Sequence, residues 1–212
     1  MNNQEFEKKI QDFWKEVQEV YEPFVCKGGI LDNKLYYVFQ TPYYYAPNLL
    51  FVGINPGGDY SGEGTLQQKN NGYVNGGLWF SRLHKIFDYP KNEYLKTALD
   101  TCVATNCCFI NSKTAEILPP EVMNASYPLI TELVGIVSPK HIIALGKVPF
   151  EKLVAVKNRQ FKQFGSIKFK YGYTDNGLPV AWVYNPSGRN QRFYTDKLCP
   201  DWQAAIEWFM TL

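Results

Sequence analysis

The sequence predicts an α/β fold with three layers, in which helices cover both faces of a central parallel sheet of about four strands. Two observations support this prediction. Apolar runs rich in β-branched residues lack strict alternation of apolar and polar positions, which is typical of strands buried on both faces, and they occupy residues 49–53, 101–110, 141–145 and 180–184. Helical patterns lie between these runs, as expected for a doubly wound sheet.

The chain before the first buried strand is predicted to form an amphipathic helix and a short extended region. Over residues 4–21, apolar side chains recur at helical spacing between Glu and Lys, and these are Phe6, Ile10, Phe13, Trp14, Val17 and Tyr21. Pro23 and the glycines at 28 and 29 are expected to end this helix. The Tyr-rich segment 34–45 predicts a strand or a hairpin, and Pro47 leads into the first buried strand.

Further helices are predicted between and after the strands, at residues 78–87, 120–137, 147–156 and 202–212. Pro128 is expected to bend or split the second of them. The segment 165–174 predicts an added strand or hairpin. The chain has 212 residues, of which 45% are hydrophobic, and it contains no repeat or linker composition. We therefore expect one domain over residues 1–212, in which 1–45 form an N-terminal helix and strand extension.

Charge and hydropathy exclude some classes of protein. The formal net charge is +2, so a nucleic-acid surface would need local clustering of basic residues rather than a global basic field. No apolar run approaches the ~20 residues that a membrane-spanning helix needs. The N-terminal segment is charged throughout, unlike a secretory signal. We expect a cytoplasmic protein without a membrane partner.

The cysteine and histidine pattern argues against a metal centre. The chain has five cysteines, an odd number, and none forms a C-x-x-C pair; they are Cys26, Cys102, Cys107, Cys108 and Cys199. Its two histidines are His84 and His141. This spacing does not match zinc or iron–sulfur ligation. We expect reduced thiols packed as small hydrophobes, with no cofactor, no metal and no iron–sulfur cluster.

Unusual polar residues lie within one predicted strand and directly after two others. Asn55-Pro56-Gly57-Gly58 follows the first strand, Asn106 lies within the second, and NPSGRNQ (185–191) follows the last. Each alone is typical of a turn or a satisfied buried amide. Ligands bind outside the carboxyl ends of the strands in open α/β sheets. Together these segments predict a pocket lined by amides and backbone N–H groups, which suits a neutral planar ligand such as a nucleobase.

The two Asn-Pro segments resemble a known pair of motifs. GINPG (53–57) after a buried strand and NPSG (185–188) after a later one resemble the signature motifs of the uracil-DNA glycosylase superfamily. The closest resemblance is to the mismatch-specific (thymine/uracil mismatch) branch, whereas NPSGRN is more similar to the single-strand-selective monofunctional branch. HIIALGKVPFEKL (141–153) resembles the strand and helix before the second motif, and TNCCF with LPPEV (118–122) is similar to the iron–sulfur branch. The resemblance covers roughly residues 46–210.

This resemblance implies roles for the three amides. Asn55 would hold a water near the anomeric carbon through its side-chain carbonyl, and since an amide cannot deprotonate water, catalysis would depend on positioning. Asn106 would read the base, accepting from N3–H and donating to O4, which distinguishes uracil from cytosine. Asn185 would face the base O2. Asn55 and Asn185 are thus the implied catalytic residues.

The resemblance also implies residues that contact the base and the DNA backbone. An aromatic ring should cover the base, and Tyr73 and Tyr60 are competing candidates. The remaining base-binding candidates are Gly53 and Ile54, and the DNA-binding candidates are Pro56, Gly57, Ser187, Gly188, Arg189 and Lys147. Among these, Ser187 and Gly188 would grip phosphate and Arg189 would fill the space left by the flipped base. Asp59 follows the first motif and is open to a role as an accessory base.

The implied function is a monofunctional DNA glycosylase of base excision repair. It would act as a monomer on DNA with a damaged or mismatched base, flipping that base before hydrolysis. Uracil, hypoxanthine, xanthine and mismatched thymine all remain open, as does strand preference. The alternatives are a catalytically weak or inactive family-fold protein that binds nucleic acid or a nucleotide, and a hydrolase of free nucleosides.

Overall fold

The computed structural model describes residues 1–68, 78–88, 91–186 and 188–212. In these ranges the α-helices are α1 (Asn3–Val25), α2 (Leu78–Phe87), α3 (Glu93–Asp100), α4 (Pro120–Val137), α5 (Lys147–Leu153) and α6 (Cys199–Phe209). The strands are β1 (Tyr37–Phe39), β2 (Leu49–Gly53), β3 (Thr65–Gln67), β4 (Val103–Asn106), β5 (His141–Leu145), β6 (Gln160–Phe164), β7 (Ile167–Tyr173) and β8 (Pro179–Val183). None of the helices in the described ranges is both long and apolar enough to span a bilayer.

The main sheet is mixed. The described residues form a six-stranded sheet in the order β4-β2-β5-β8-β7-β6. The strands β4, β2, β5 and β8 run parallel to one another, whereas β7 is antiparallel to both β8 and β6. The α/β class is confirmed, but the sheet is larger than predicted because an antiparallel hairpin extends one edge. The segment predicted as an added strand or hairpin, 165–174, supplies the turn and second strand of that hairpin.

Helices lie on both faces of this sheet. Residues of β2 alternate between two cores: Leu50 and Val52 pack in the first, and Leu49 and Phe51 in the second. The first core also holds buried side chains of α1, α4 and α5, and the second holds those of α2, α3 and α6. Both faces of the parallel strands are therefore buried, which explains why their sequences show continuous apolar runs.

Several elements differ from the sequence prediction. Within 34–45, β1 does not form a hairpin; it pairs in parallel with β3 in a separate two-stranded sheet. Neither β3 nor α3 was predicted, since both are short. Pro128 does not split α4, which is continuous across it. Pro128 has no N–H, so the helix lacks one hydrogen bond there. The burial of residues on both sides of Pro128, such as Val122 and Leu133, offsets this loss.

The N-terminal helix is bonded into the first core through one phenol. The hydroxyl of Tyr21 accepts a hydrogen bond from the Phe109 N–H at 3.0 Å and lies 2.8 Å from Ser126 Oγ in α4. The Ser126 hydroxyl itself donates to Val122 O. Burial raises the pKa of Tyr21 well above its usual value, so the phenol is neutral. The helix α1 is thus tied to both α4 and the chain that follows β4.

Replacing Tyr21 with Phe should lower the free energy of unfolding by about 1–3 kcal/mol, because the buried Phe109 N–H would lose its partner. The measurement is the urea midpoint followed by circular dichroism. Tyr94→Phe is the matched control, since Tyr94 is 57% exposed. An unchanged midpoint for Tyr21→Phe would show that this hydrogen bond does not stabilise the fold.

Candidate active site

The first Asn-Pro motif is held in place by the chain that follows β4. The N–H of Cys108 donates to Ile54 O at 2.9 Å, and the N–H of Ser112 donates to Pro56 O at 3.1 Å. Gly57 forms an isolated parallel bridge with Ser112. The loop therefore continues the sheet pairing beyond β2 instead of turning freely into solvent.

These contacts fix the side-chain amide of Asn55. Its Nδ2 donates to Ser112 Oγ at 2.8 Å and to Pro56 O at 2.9 Å. The Ser112 hydroxyl in turn donates to Thr114 O at 2.7 Å. Because the nitrogen side of the amide is bonded to the protein, the Asn55 carbonyl oxygen is the end left to accept a hydrogen bond, and no described residue donates to it. Half-buried Asn55 thus presents an acceptor at the end of β2.

Sequence reasoning missed Ser112. It is 2% exposed and follows the buried run that ends at Ile110. The polar pair Asn111-Ser112 directly after that apolar run was the only available signal, and it does not reveal which loop the hydroxyl meets. Asn111 supports the same region, because its Oδ1 accepts from the Tyr60 N–H at 2.8 Å.

Asn106 lies beside Gly53 at the carboxyl ends of β4 and β2, where the two residues are register partners. A Cβ at Gly53 would overlap Asn106 Oδ1, so the absence of a side chain makes room for this amide. Asn106 is 1% exposed, and its Nδ2 has no hydrogen-bond partner among the described residues. A buried donor without a partner costs about 1–3 kcal/mol. Such an atom requires an explanation, and a ligand carbonyl would supply its partner.

The second Asn-Pro motif follows β8. A Cβ at Gly146 would lie 3.9 Å from Asn185 Cβ, and the Gly146 N–H donates to Val183 O at 2.8 Å. The carboxyl ends of β5 and β8 therefore meet at this loop. Asn190 Nδ2 donates to Asn185 O at 2.9 Å, which closes the loop on itself.

A buried arginine anchors the same loop from α2. Arg82 is 9% exposed, and its Nη1 donates to Pro186 O at 2.6 Å. The hydroxyl of Tyr194 donates to Tyr184 O on the other side of the motif. Burial raises the pKa of Tyr194, so this donor stays protonated. Neither residue was singled out in the sequence, since nothing in the local pattern of either links it to residues 185–188.

The two motifs leave the sheet at the same edge. Strands β2 and β8 both neighbour β5 and run in its direction. With strands about 4.8 Å apart, the ends of β2 and β8 are about 10 Å from each other. Asn106 ends β4, on the other side of β2. The structure thus brings Asn55, Asn106 and Asn185 to the same side of the sheet, at the carboxyl ends of the parallel strands.

Tyr60 and Asp59 lie on the outer side of the first motif. The Tyr60 ring is 57% exposed and covers Gly58, which has a φ of +117°. Asp59 forms an ion pair with Lys34, and the Lys34 hydrogen bond and charge lower the pKa of its carboxyl. A lowered pKa makes the carboxylate a weaker base, which disfavours an accessory-base role for Asp59.

The structure describes only some of the remaining candidate residues. Tyr73 and Ser187 lie outside the described residues, as does the side chain of Arg189. Gly188 begins a 3₁₀ helix that runs to Phe193. Lys147 begins α5, and its side chain is 76% exposed with an ion pair to Glu151 at 3.9 Å.

The described residues contain no cluster of three or more His, Cys, Asp or Glu side chains placed to hold a metal ion. The cysteines in the described ranges are free thiols. Burial raises the pKa of Cys102 to about 12 and raises that of Cys107 further. These thiols are therefore neutral and pack as apolar groups.

Comparison with known families agrees with this geometry. The family model of the Uracil DNA glycosylase superfamily matches residues 42–209. No curated protein matches the chain. The matched region runs from the segment before β2 to the end of α6 and includes both Asn-Pro motifs. The chain therefore belongs to the uracil DNA glycosylase superfamily.

Proposed function

We propose that the protein is a DNA glycosylase that hydrolyses the N-glycosidic bond of uracil, or of another deaminated base, in DNA. The observation that carries this proposal is the pair of amides at the sheet edge. Asn55 is held by its nitrogen and offers an oxygen, while Asn106 has a buried N–H without a partner. The oxygen of Asn55 can accept a hydrogen bond from a water, and the N–H of Asn106 can donate one to the carbonyl of a base.

The proposed reaction replaces one bond at the sugar. The C1′–N bond breaks, its electron pair leaves with the base, and the oxygen of a water bonds to C1′. The products are the free base and an abasic deoxyribose, and the proton of the water passes to solvent or to the departing base. Asn55 Oδ1 accepts a hydrogen bond from the water and so holds it near C1′. Its contribution is orientation, because an amide has no basic site at neutral pH.

Recognition of the base follows from the amide of Asn106. Its Nδ2 would donate to a base carbonyl, and its Oδ1 would accept from the adjacent ring N–H. Uracil presents this acceptor–donor pair and cytosine does not. Asn185 would contact the opposite carbonyl from the second motif. Water is the nucleophile in this scheme, so the enzyme is monofunctional and forms no Schiff base with a lysine.

The finer assignments belong to the same proposal. The proposed branch is the mismatch-specific one, supported by the resemblance of GINPG, and the single-strand-selective monofunctional branch is the alternative that NPSGRN resembles more. The proposed partner is DNA, contacted by the backbone of the two motifs and by Lys147, an exposed residue that follows Gly146, which in turn adjoins Asn185 of the second motif. Tyr60 is a candidate for covering the base, since its exposed ring adjoins Gly58.

The direct test is a set of duplex and single-stranded oligonucleotides, each with one uracil, hypoxanthine, xanthine or mismatched thymine. Alkali-sensitive strand breaks at the modified position are expected for uracil. Binding of these oligonucleotides without any break would contradict the proposal and would favour a family-fold protein that binds nucleic acid without cleaving it. Activity on free nucleosides that is independent of salt would favour a nucleoside hydrolase instead.

Replacing Ser112 with Ala should lower the single-turnover rate of uracil release about tenfold, with little change in DNA affinity. The variant removes the hydroxyl acceptor of Asn55 Nδ2 and leaves the bond to Pro56 O, so the amide turns more freely and holds the water less well. Ser112→Thr, which keeps the hydroxyl, should restore most of the rate.

Ser166→Ala is the matched control, because Ser166 is an exposed residue in the turn between β6 and β7. A Ser112→Ala variant with the normal rate would show that Ser112 does not position Asn55. A variant whose affinity falls as much as its rate would indicate a disturbed binding surface rather than a misoriented water.

A further inference from the structure

A basic and aromatic surface lies beside the candidate active site. The hairpin of β6 and β7 extends the sheet past β8, on the face that carries α5. Between α5 and these strands is a groove with a cavity of about 250 Å³. We call it the hairpin groove, and its principal side chains are Lys147, Arg159, Phe161, Lys168, Lys170 and Trp182.

The strand register places three of these side chains in a row across the sheet. Phe161 is opposite Lys170, and Lys170 is opposite Trp182, so the three residues cross the sheet on one face. Lys168 Nζ is 3.8 Å from the centroid of the Phe161 ring, and Lys170 Nζ is 4.8 Å from that of Trp182. Phe161 is 62% exposed. The groove therefore offers the exposed Phe161 ring to solvent, with the Lys168 ammonium over that ring and the Lys170 ammonium over the half-buried ring of Trp182.

The side chains that line the groove carry mainly positive charge. Four cationic side chains line it against the single carboxylate of Glu151. That carboxylate is already paired with Arg159 at 3.2 Å and with Lys147 at 3.9 Å. Lys168 and Lys170 have no ion pair in the part of the chain that the structure describes. Since the whole chain carries a net charge of only +2, this is a local concentration of positive charge.

An exposed aromatic ring beside ammonium groups that have no ion pair among the described residues fits one class of polymer. Single-stranded nucleic acid presents phosphates at regular intervals and unpaired bases that stack on aromatic side chains. An acidic peptide would match the charge but would not use the ring faces. A duplex would match the charge but keeps its bases stacked inside.

One end of the groove is close to the second Asn-Pro motif. Lys147 directly follows Gly146, which adjoins Asn185. On the opposite wall, the Trp182 ring centroid is 4.5 Å from that of Tyr184, which precedes Asn185 in the chain. Lys147 and Trp182, which line the groove, therefore adjoin the residues that lead into the second Asn-Pro motif.

We propose that the hairpin groove binds single-stranded DNA and holds the strand segment next to the nucleotide at the candidate active site. The polymer's identity as DNA rests on the proposed function, whereas the binding itself requires no cleavage. The lysines contact phosphates, and Phe161 stacks with an unpaired base.

The test is the affinity for a fluorescein-labelled oligothymidine of about 12 nucleotides, a length within known single-strand site sizes, measured by anisotropy at several salt concentrations. Phe161→Ala should weaken binding about tenfold through lost stacking. The double variant Lys168→Ala/Lys170→Ala should lower the slope of log K against log salt by about 1.4, since each phosphate contact contributes about 0.7.

Lys162→Ala is the matched control. Lys162 is on the same hairpin but on the opposite face, with Nζ 4.0 Å from the centroid of the Trp208 ring. It removes one positive charge, half of the charge that the double variant removes, and binding should stay near that of the unmodified protein. All of these variants change exposed side chains, and their thermal midpoints confirm folding.

Normal binding by the groove variants would overturn the proposal, as would an equal loss in Lys162→Ala. Competition by polyglutamate as strong as that by unlabelled oligothymidine would make the groove a general anion surface and also overturn it. The oligothymidine contains no uracil, so the result is separate from cleavage. Groove-dependent binding without uracil release would contradict the proposed function alone, and uracil release with unaltered binding by the variants would contradict the groove alone.

Discussion

Replacing Asn55 with Ala should lower the single-turnover rate of uracil release by a factor of about 10² to 10³, the range for losing one group that positions a reactant. The reason is local, because the carbonyl oxygen of Asn55 is the acceptor left for a water once Ser112 and Pro56 have bonded its nitrogen. The affinity for uracil-containing DNA should change little. Quenched-flow or manual time courses with enzyme in excess over a uracil duplex measure the rate.

The matched control for this substitution is Asn176→Ala. Asn176 is exposed in the turn before β8, at the opposite edge of the sheet from the two motifs. This variant should keep the rate of the unmodified protein. If Asn55→Ala also kept that rate, the assignment of Asn55 as the water-positioning residue would be wrong.

Replacing Gly53 with Ala should lower the rate of uracil release by about 10²-fold or more, because it displaces Asn106 of the neighbouring strand β4. The added methyl group would occupy the space of Asn106 Oδ1, and because Asn106 is 1% exposed, the amide must leave its position. Overpacking of this kind also costs about 1–3 kcal/mol in the free energy of unfolding. The rate loss should therefore exceed what the loss of stability explains.

A double-mutant cycle separates this mechanism from general damage. If the methyl group acts by displacing Asn106, then Gly53→Ala/Asn106→Ala should be no slower than Asn106→Ala alone. Additive losses would contradict the mechanism. Gly135→Ala is the control glycine, because its added methyl group meets nothing within 4 Å in α4, and it should keep full activity.

The N-terminal helix contributes to the fold of the region that matches the superfamily. The match begins at residue 42, so α1 and β1 lie outside it. Even so, Phe13 and Val17 of α1 pack in the same core as Leu50 and Val52 of β2. The Tyr21 phenol accepts from the Phe109 N–H, in the chain segment that leads to Ser112. The extension, which matched no motif, thus supports the segment that orients Asn55.

The sequence predicted the parallel strands better than the rest of the fold. Residues 49–53 and 141–145 form strands with the expected bounds, and the helix at 78–87 is confirmed. Strands buried on both faces need unbroken apolar runs, and such runs can be recognised in the amino-acid sequence. The shorter elements β3 and α3 were not predicted, since a few residues carry too little periodicity. The pairing of β1 with β3 was also missed, because pairing depends on contacts distant in sequence.

The sequence alone determined which residues are the candidates for the proposed chemistry, and it predicted that they lie together at the carboxyl ends of the parallel strands. Asn55 and Asn185 follow buried strands, and strand direction places the ends of parallel strands together. Only the tertiary structure decided how each amide is oriented. Ser112 fixes Asn55, Arg82 fixes the loop at Pro186, and both partners come from distant segments. Hydrogen bonds between such segments form only after the sheet and its helices have packed, so no local pattern in the sequence records them.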